Sequence, residues 1–388
     1  MKHLLLLALA FAGSALAAPD EETLGKAQGY PVCPLSTGLR EARCIVGQYS
    51  HLDEITTSRR IARGASTREL KSGSEPDFGV DAFMAANRNT GLLVMQGDTI
   101  LAERYQYGRK GDERFTSWSM AKTVVAMLIG IAIAEKKIDS IEDLAAKYLP
   151  DLEGHPYGET SLKDLLTMSS GVKFLETDES PDTGRLVAAT IYRQGNGGLD
   201  TITKFDERPL AAGTRFNYAS SDTQVLGLVL RAATGQPLAD YLSEKIWAPM
   251  GAAADATWMV DASGQELAYC CINATVRDWG RLGLLLANDG VMDGKQIVPA
   301  EWVRAMTTVH APHLEVGTAT THNGYGYQTW LIDNQGRFAL LGIRGQAVFV
   351  DPRTRLVIVH TAVHEYGDND SRGRQFKFFY QTLRKLEG

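Results

Sequence analysis

Three observations predict an α+β fold: a mainly antiparallel sheet from both chain ends, flanked by helices, with an inserted helical lobe. Short strand-like segments occur twice, once between residues 92 and 105 and again between 325 and 363. The stretch between them reads as helices with Gly or Pro stops. Finally, Thr123 to Ala134 is mostly apolar, too short to span a bilayer and too apolar for a surface helix, so it belongs in the core.

In chain order, the sequence opens MKHLLLLALAFAGSALAAPDEE. Lys2 gives a positive start, Leu4 to Ala12 an apolar centre, and Ala15-Leu16-Ala17 a small-residue cleavage pattern. This is the form of a secretory signal peptide over 1–17, cleaved near Ala17/Ala18, and it implies export to a periplasm or outside the cell. No cysteine stands at the cleavage point, which argues against a lipid anchor. Residues 18–75 are rich in turn formers and charges and are expected as an N-terminal arm. Leu92 to Met95 and Ile100 to Tyr105 give two strands, turned by Gln96-Gly97-Asp98.

Residues 139–265 are expected as an inserted all-helical domain. IEDLAAKYLPDL, SLKDLLTMSSG and DTQVLGLVLRAATG show helical spacing, and Ser161 with Asp164 forms a capping pattern. ATVRDWGRLGLLLANDG reads as a further helix ending at Gly290. YGYQTWLID, GRFALLGIRG, QAVFVDP and RLVIVHTAV read as strands, and GRQFKFFYQTLRKL as a closing helix. The sheet domain is therefore discontinuous, over 76–138 and 266–388. A cleft between two lobes is a natural ligand site.

The charge balance is mild. The sequence holds 40 basic and 46 acidic residues; without Lys2 the balance is 39 against 46, or −7. It has no basic block, which argues against nucleic acid as a partner, and no stable membrane insertion is expected of the mature chain. The four cysteines allow three pairings. Cys33 and Cys44 are expected to close a small loop, and Cys270 and Cys271 are expected as buried packing residues. The histidines form no HExxH or similar metal pattern, and His310 and His313 are expected on a surface loop. Neither a metal nor a cofactor is expected.

FTSWSMAKTVVAMLIGIAIAEKKI, residues 115–138, carries the chemistry. On a helix, Ser119 and Lys122 share a face, i to i+3. The dipole and free N–H groups of a helix start favour developing negative charge. A lysine against an apolar helix loses hydration, which lowers its pKa and makes the proton-accepting amine accessible. Ser-x-x-Lys recurs at Ser170 and Lys173, but there a glycine follows the serine at a helix stop. G-x-S-x-G is absent, which excludes a nucleophile elbow. Further on, Tyr218-Ala219-Ser220 precedes a helix starting near Asp222. A phenol beside an ammonium deprotonates more easily, so Tyr218 can relay a proton between Ser119 and a leaving group.

Ser119-x-x-Lys122 followed by Tyr218-Ala219-Ser220 resembles the penicillin-recognising serine hydrolases: class C β-lactamases, DD-peptidases, related esterases and 6-aminohexanoate-dimer hydrolases. LLTMSSGV, ATVRDWGRLGLLLANDGVMDGKQIVP and GYGYQTWL are similar to that family's framework, over roughly 75 to 385. The resemblance implies a β-lactamase/DD-peptidase-like fold, Ser119 as nucleophile, Lys122 as its base and Tyr218 as general acid/base. It also implies an oxyanion hole from backbone N–H groups of Ser119 and Gln346.

Two departures narrow the reading. The family's Lys-Thr-Gly is absent, and Gly342-Ile343-Arg344-Gly345-Gln346 stands in its place. Ile343 then occupies the lysine position, with Arg344 as a partial replacement, and Ser220 stands where β-lactamases have asparagine. Ser220, Ile343, Arg344 and Gly345 are thus the expected substrate-binding residues. Both changes resemble the esterase and 6-aminohexanoate-dimer hydrolase branch.

The sequence and this resemblance therefore predict an exported serine hydrolase acting through an acyl-enzyme on amides or esters of small carboxylic acids, with linear amide oligomers such as 6-aminohexanoate dimer as the concrete candidate. The alternatives are a β-lactamase or DD-peptidase, and a non-catalytic binding protein on the same scaffold. Glu176, Asp178, Glu179 and Asp182 form an acidic cluster, read first as a solvated loop and second as an attractant for an amine-bearing substrate.

Overall fold

The computed structural model describes residues 17–38, 41–177, 180–192, 197–365 and 367–387. Nearly all of the expected signal peptide, and Asp178 and Glu179, lie outside the described residues. The main sheet has eight strands: β1 (Lys71–Ser72), β2 (Asn89–Gln96), β3 (Thr99–Tyr105), β4 (Gly324–Tyr325), β5 (Trp330–Leu331), β6 (Phe338–Leu341), β7 (Ala347–Asp351) and β8 (Leu356–Ala362). Their order is β4-β5-β6-β7-β8-β2-β3-β1. The C-terminal strand β8 thus pairs with the N-terminal strand β2, Leu92 opposite His360, so both chain ends build one sheet. Every pairing is antiparallel except the short contact of β1 with β3.

Residues in β2, β7 and β8 alternate between two cores. Leu93, Met95, Val348, Val350, Val357 and Val359 face one, while Leu92, Val94, Phe349 and Ile358 face the other. Because side chains alternate along a strand and both faces are covered, these strands read as nearly unbroken apolar runs. The first core includes helices α1 (Ala121–Ala134), α3 (Ser220–Thr234) and α4 (Val276–Ala287). The second is closed by Phe378, Phe379 and Leu383 of the closing helix α5 (Asn369–Glu387). Helix α2 (Leu162–Leu166) starts as expected, the Ser161 hydroxyl accepting from the Asp164 N–H.

Several elements depart from the sequence reading. IEDLAAKYLPDL makes only the 3-10 turns Ala145–Lys147 and Pro150–Leu152. Pro150 drives Leu149 out of the helical region, to φ −126° and ψ 74°. Helix α4 stops at Ala287, before Gly290, because Asp289 and Gly290 both take positive φ. A second, four-stranded sheet joins 58–61, 256–259, 272–274 and 115–116 in that order. Its strands hold only two to four residues, too few for a period-two signal. The sheet also puts Ala256–Met259, a strand, inside the expected helical insert.

The arm is likewise structural: Ala42–Ser50 is a helix whose Ile45, Val46 and Tyr49 enter the first core. Cys33 and Cys44 are bonded to each other. Cys270 and Cys271 are buried as expected but are also bonded to each other, with Cys271 in the left-handed region at φ 69°. Among the described residues no helix is long and apolar enough to cross a membrane.

Candidate active site

Ser119 lies in the 3-10 turn Trp118–Met120 that leads directly into α1. The turn is fastened to the small sheet: the Ser117 N–H donates to the Ile272 carbonyl at 2.7 Å, and the Ile272 N–H to the Ser117 hydroxyl at 3.0 Å. Trp118 is held at φ 45°, a conformation a bulky side chain avoids unless its surroundings impose it. Ser119 stays partly exposed while every residue from Met120 to Ala132 is buried. The hydroxyl is presented at the start of a buried helix.

Lys122 is only 1% exposed. Its Nζ donates to Ser119 Oγ at 3.0 Å, to Ser220 Oγ at 3.1 Å and to the Tyr269 carbonyl at 3.0 Å. It also lies 4.9 Å from the centroid of the Tyr218 ring and 5.6 Å from that of Tyr269. Burial lowers its pKa to about 8, against an opposing pull from the Glu176 carboxylate. The free amine is therefore within reach near neutral pH.

Tyr218 also joins the group, and here the structure corrects the sequence argument. Its hydroxyl hydrogen-bonds with Ser119, but the ammonium sits over its ring, and burial together with Glu176 holds the phenol well above its ordinary pKa. The resting tyrosine is a proton donor. Its ring stacks on Trp330 at 5.2 Å, beside Tyr325 and Phe216, which makes an aromatic wall.

The loop 342–346 lies against the Trp118–Met120 turn that carries Ser119. A Cβ on Gly342 would stand 2.4 Å from the Ser117 carbonyl oxygen, so only glycine allows this approach. The Gln346 side chain straps the loop to β8, donating to the Ala362 carbonyl at 2.6 Å and accepting from its N–H at 3.1 Å. The Gln346 N–H makes only a 3.5 Å contact with the Ile343 carbonyl, longer than the roughly 2.7–3.2 Å of a well-made bond, so a stronger acceptor can take it. Gly342→Ala is expected to push this loop outward and to lower kcat/KM about 100-fold with the fold retained, since a displacement near 1 Å has that effect. Steady-state kinetics beside circular dichroism checks it.

Of the other expected substrate-binding residues, Ser220 is buried against Lys122, and Ile343 is exposed beside the Gly342 approach. Gly345 takes φ 92° and backs onto His364. Arg344 is turned away, its Nη1 donating to the His364 carbonyl at 3.2 Å. The cation at this place is Arg372 of α5, which sequence reasoning missed: its Nη2 donates to the Gly342 carbonyl at 2.7 Å. No spacing rule links a closing helix to a loop thirty residues earlier.

The second Ser-x-x-Lys is not assembled, since Ser170 donates to Asp222 while Lys173 is exposed and paired with Glu207. His310 stacks on Tyr327, and His313 contacts Ser169. Among the described residues no group of three or more His, Cys, Asp or Glu could hold a metal. The acidic cluster divides: Asp182 accepts from the Leu175 N–H, whereas Glu176 turns inward and accepts from both the N–H and the hydroxyl of Ser220.

A sheet built from both chain ends, a buried helix opening Ser-x-x-Lys and a facing Tyr-Ala-Ser together define a hydrolase of the β-lactamase fold. Consistent with this, the beta-lactamase family model matches residues 80–377, and the chain belongs to that family. It is 29% identical over 344 residues to the 6-aminohexanoate-dimer hydrolase of Paenarthrobacter ureafaciens, covering 84% of this chain and 86% of that protein. A Bacillus anthracis structure provisionally described as a 6-aminohexanoate-dimer hydrolase superposes with a TM-score of 0.80 at 26% identity, over 89% of this chain and 95% of that one. A penicillin-binding protein homologue from Caulobacter crescentus shares the fold, with a TM-score of 0.62 at 14% identity over 81% of this chain and 99% of that one.

Proposed function

We propose that this protein is an exported serine hydrolase that works through an acyl-enzyme on amides or esters of small carboxylic acids. A linear amide oligomer such as 6-aminohexanoate dimer is the concrete candidate, because the relative from Paenarthrobacter ureafaciens is named for that substrate and matches over most of both chains. The observation that carries the reading is the buried Lys122 amine 3.0 Å from the partly exposed Ser119 hydroxyl.

In the proposed reaction, Ser119 Oγ bonds to the substrate carbonyl carbon while its proton passes to Lys122 Nζ. The N–H groups of Ser119 and Gln346 hold the oxyanion. As the bond to the leaving nitrogen or oxygen breaks, the Tyr218 hydroxyl protonates that atom, and the Lys122 ammonium restores the phenol. Water then attacks the ester carbon, gives up a proton to the amine, and Ser119 leaves with a proton. Ile343 and the Trp330–Tyr325 wall favour an apolar acyl chain. Two disulfides support an oxidising compartment.

The test is intact mass after exposure to a fluorophosphonate, with Ser119→Ala as control. One adduct on the wild type and none on the control is expected. An unlabelled wild type, or an equally labelled control, would refute the reading. Esters and linear amides are then screened before penicillins.

A further inference from the structure

We propose that Glu176 is a positioning residue that fixes the direction of hydrogen bonding around Lys122, so that the free amine offers its lone pair to Ser119 alone. This rests on the serine-hydrolase reading above and explains how that site selects one of two serines.

Lys122 Nζ touches three oxygens at almost equal distances: Ser119 Oγ, Ser220 Oγ and the Tyr269 carbonyl. An ammonium donates to all three. A neutral amine has two N–H groups and one lone pair, so one oxygen must become a donor. The Tyr269 carbonyl only accepts. Both serines carry a proton, and a freely rotating Ser220 hydroxyl could take the lone pair for itself. Lysine would then be a base for the wrong serine.

Glu176 removes that option. One carboxylate oxygen accepts the Ser220 hydroxyl proton at 2.6 Å, and the other accepts the Ser220 N–H at 2.8 Å. Held from two sides, Ser220 presents only acceptor lone pairs to the amine. The two N–H groups go to Ser220 and Tyr269, and the lone pair faces Ser119. The groups around Lys122 are the two serines, the rings of Tyr218 and Tyr269, and the Glu176 charge, which raises the lysine pKa.

Glu176→Gln keeps the size but lets an amide N–H donate to Ser220 Oγ, which frees the serine proton. Ser220→Asn offers an amide oxygen to Lys122 with no need of a carboxylate. The measurement is the rate constant of fluorophosphonate labelling on the full mature chain between pH 5 and 10 (a range set by the lysine value above). Glu176→Gln is expected to label about 10- to 100-fold more slowly, less than the roughly 10²- to 10⁴-fold that a positioned base contributes because the amine itself remains, and to show its acid limb at lower pH than the wild type. Glu176→Gln with Ser220→Asn is expected to regain at least half of the lost logarithmic rate. Ser220→Ala, which keeps the carboxylate but removes the acceptor, is expected to be slow.

Wild-type labelling at Ser119 is the baseline, so its absence would count against the hydrolase reading itself. Given that baseline, Glu176→Gln or Ser220→Ala labelling at the wild-type rate would overturn the proposal. So would a slow Glu176→Gln with an unmoved acid limb and no rescue by asparagine, which would make Glu176 a loop anchor only.

Discussion

Lys122→Met is expected to abolish turnover while leaving the protein as stable as the wild type, or more so. In the proposed mechanism this removes the base and the donor that restores Tyr218, and it is expected to lower kcat/KM by about 10³-fold or more. Stability moves the other way because a buried ammonium is poorly solvated, as the lysine's lowered pKa records. Methionine fills a similar volume and brings no charge. It leaves the Ser220 hydroxyl on Glu176 and strips one donor each from Ser119, Ser220 and the Tyr269 carbonyl. Thermal melts read beside steady-state kinetics separate the two effects. A variant that lost activity only because it unfolded would contradict this account, and so would one that kept a tenth of wild-type kcat/KM.

The same lysine sets a pH dependence with a definite sign. Its folded-state pKa of about 8 lies below the ordinary lysine value, so the amine becomes available as pH rises through 8. In the proposed mechanism Tyr218 must remain protonated to act as the acid, and its pKa is raised, so its limb lies far to the alkaline side. The profile of kcat/KM in the wild type is expected to climb through pH 8 and stay high into alkaline solution. A profile already flat from pH 6 upward would assign the base elsewhere.

How much of this was legible in the sequence depends on how far apart the partners lie. Ser119 and Lys122 were readable because one helical turn brings them together whatever the rest of the chain does. The apolar α1 was readable for a related reason, since its burial follows from composition. Tyr218 was placed by its loop before α3, but its protonation state was misjudged: the sequence suggests an ammonium neighbour and cannot show that burial outweighs it. Glu176 was noticed only as one acid among four, because nothing local tells an inward carboxylate from a solvated one. Arg372 and the Tyr269 carbonyl belong to segments joined to the site only by tertiary packing. The short strands of the second sheet failed on length, and the Cys270–Cys271 bond because adjacent cysteines read first as apolar packing.

Asp222→Asn is expected to stabilise the protein at alkaline pH and to change little at pH 4. Asp222 is fully buried at the start of α3. Its Oδ1 accepts from Ser170 Oγ at 2.9 Å and from the Tyr157 hydroxyl at 3.1 Å, while Oδ2 has no partner. Burial outweighs those bonds and lifts its pKa to about 8, with Glu176 adding a like charge. Below about pH 4 the carboxyl is neutral in both the folded and the unfolded chain, so it contributes no pH dependence. Between that pH and 8 the unfolded chain loses the proton and the folded chain keeps it, so stability falls as pH rises. The total is on the order of a few kcal/mol, because each pKa unit of difference is worth about 1.4 kcal/mol at most. Asparagine keeps the Oδ1 acceptor for Ser170 and Tyr157, puts an uncharged group at the unpartnered position and does not titrate. Its melting temperature should therefore match the wild type near pH 4, exceed it progressively up to about pH 8, and stay above it by a steady margin at pH 9. Asp222→Ala should behave oppositely, destabilised throughout, because the buried Ser170 hydroxyl would lose its acceptor and Tyr157 would keep only Ser221 Oγ, at 2.6 Å. A wild-type stability that rises between pH 5 and 8, with Asp222→Asn falling below it, would mean that the carboxylate is ionised in the fold.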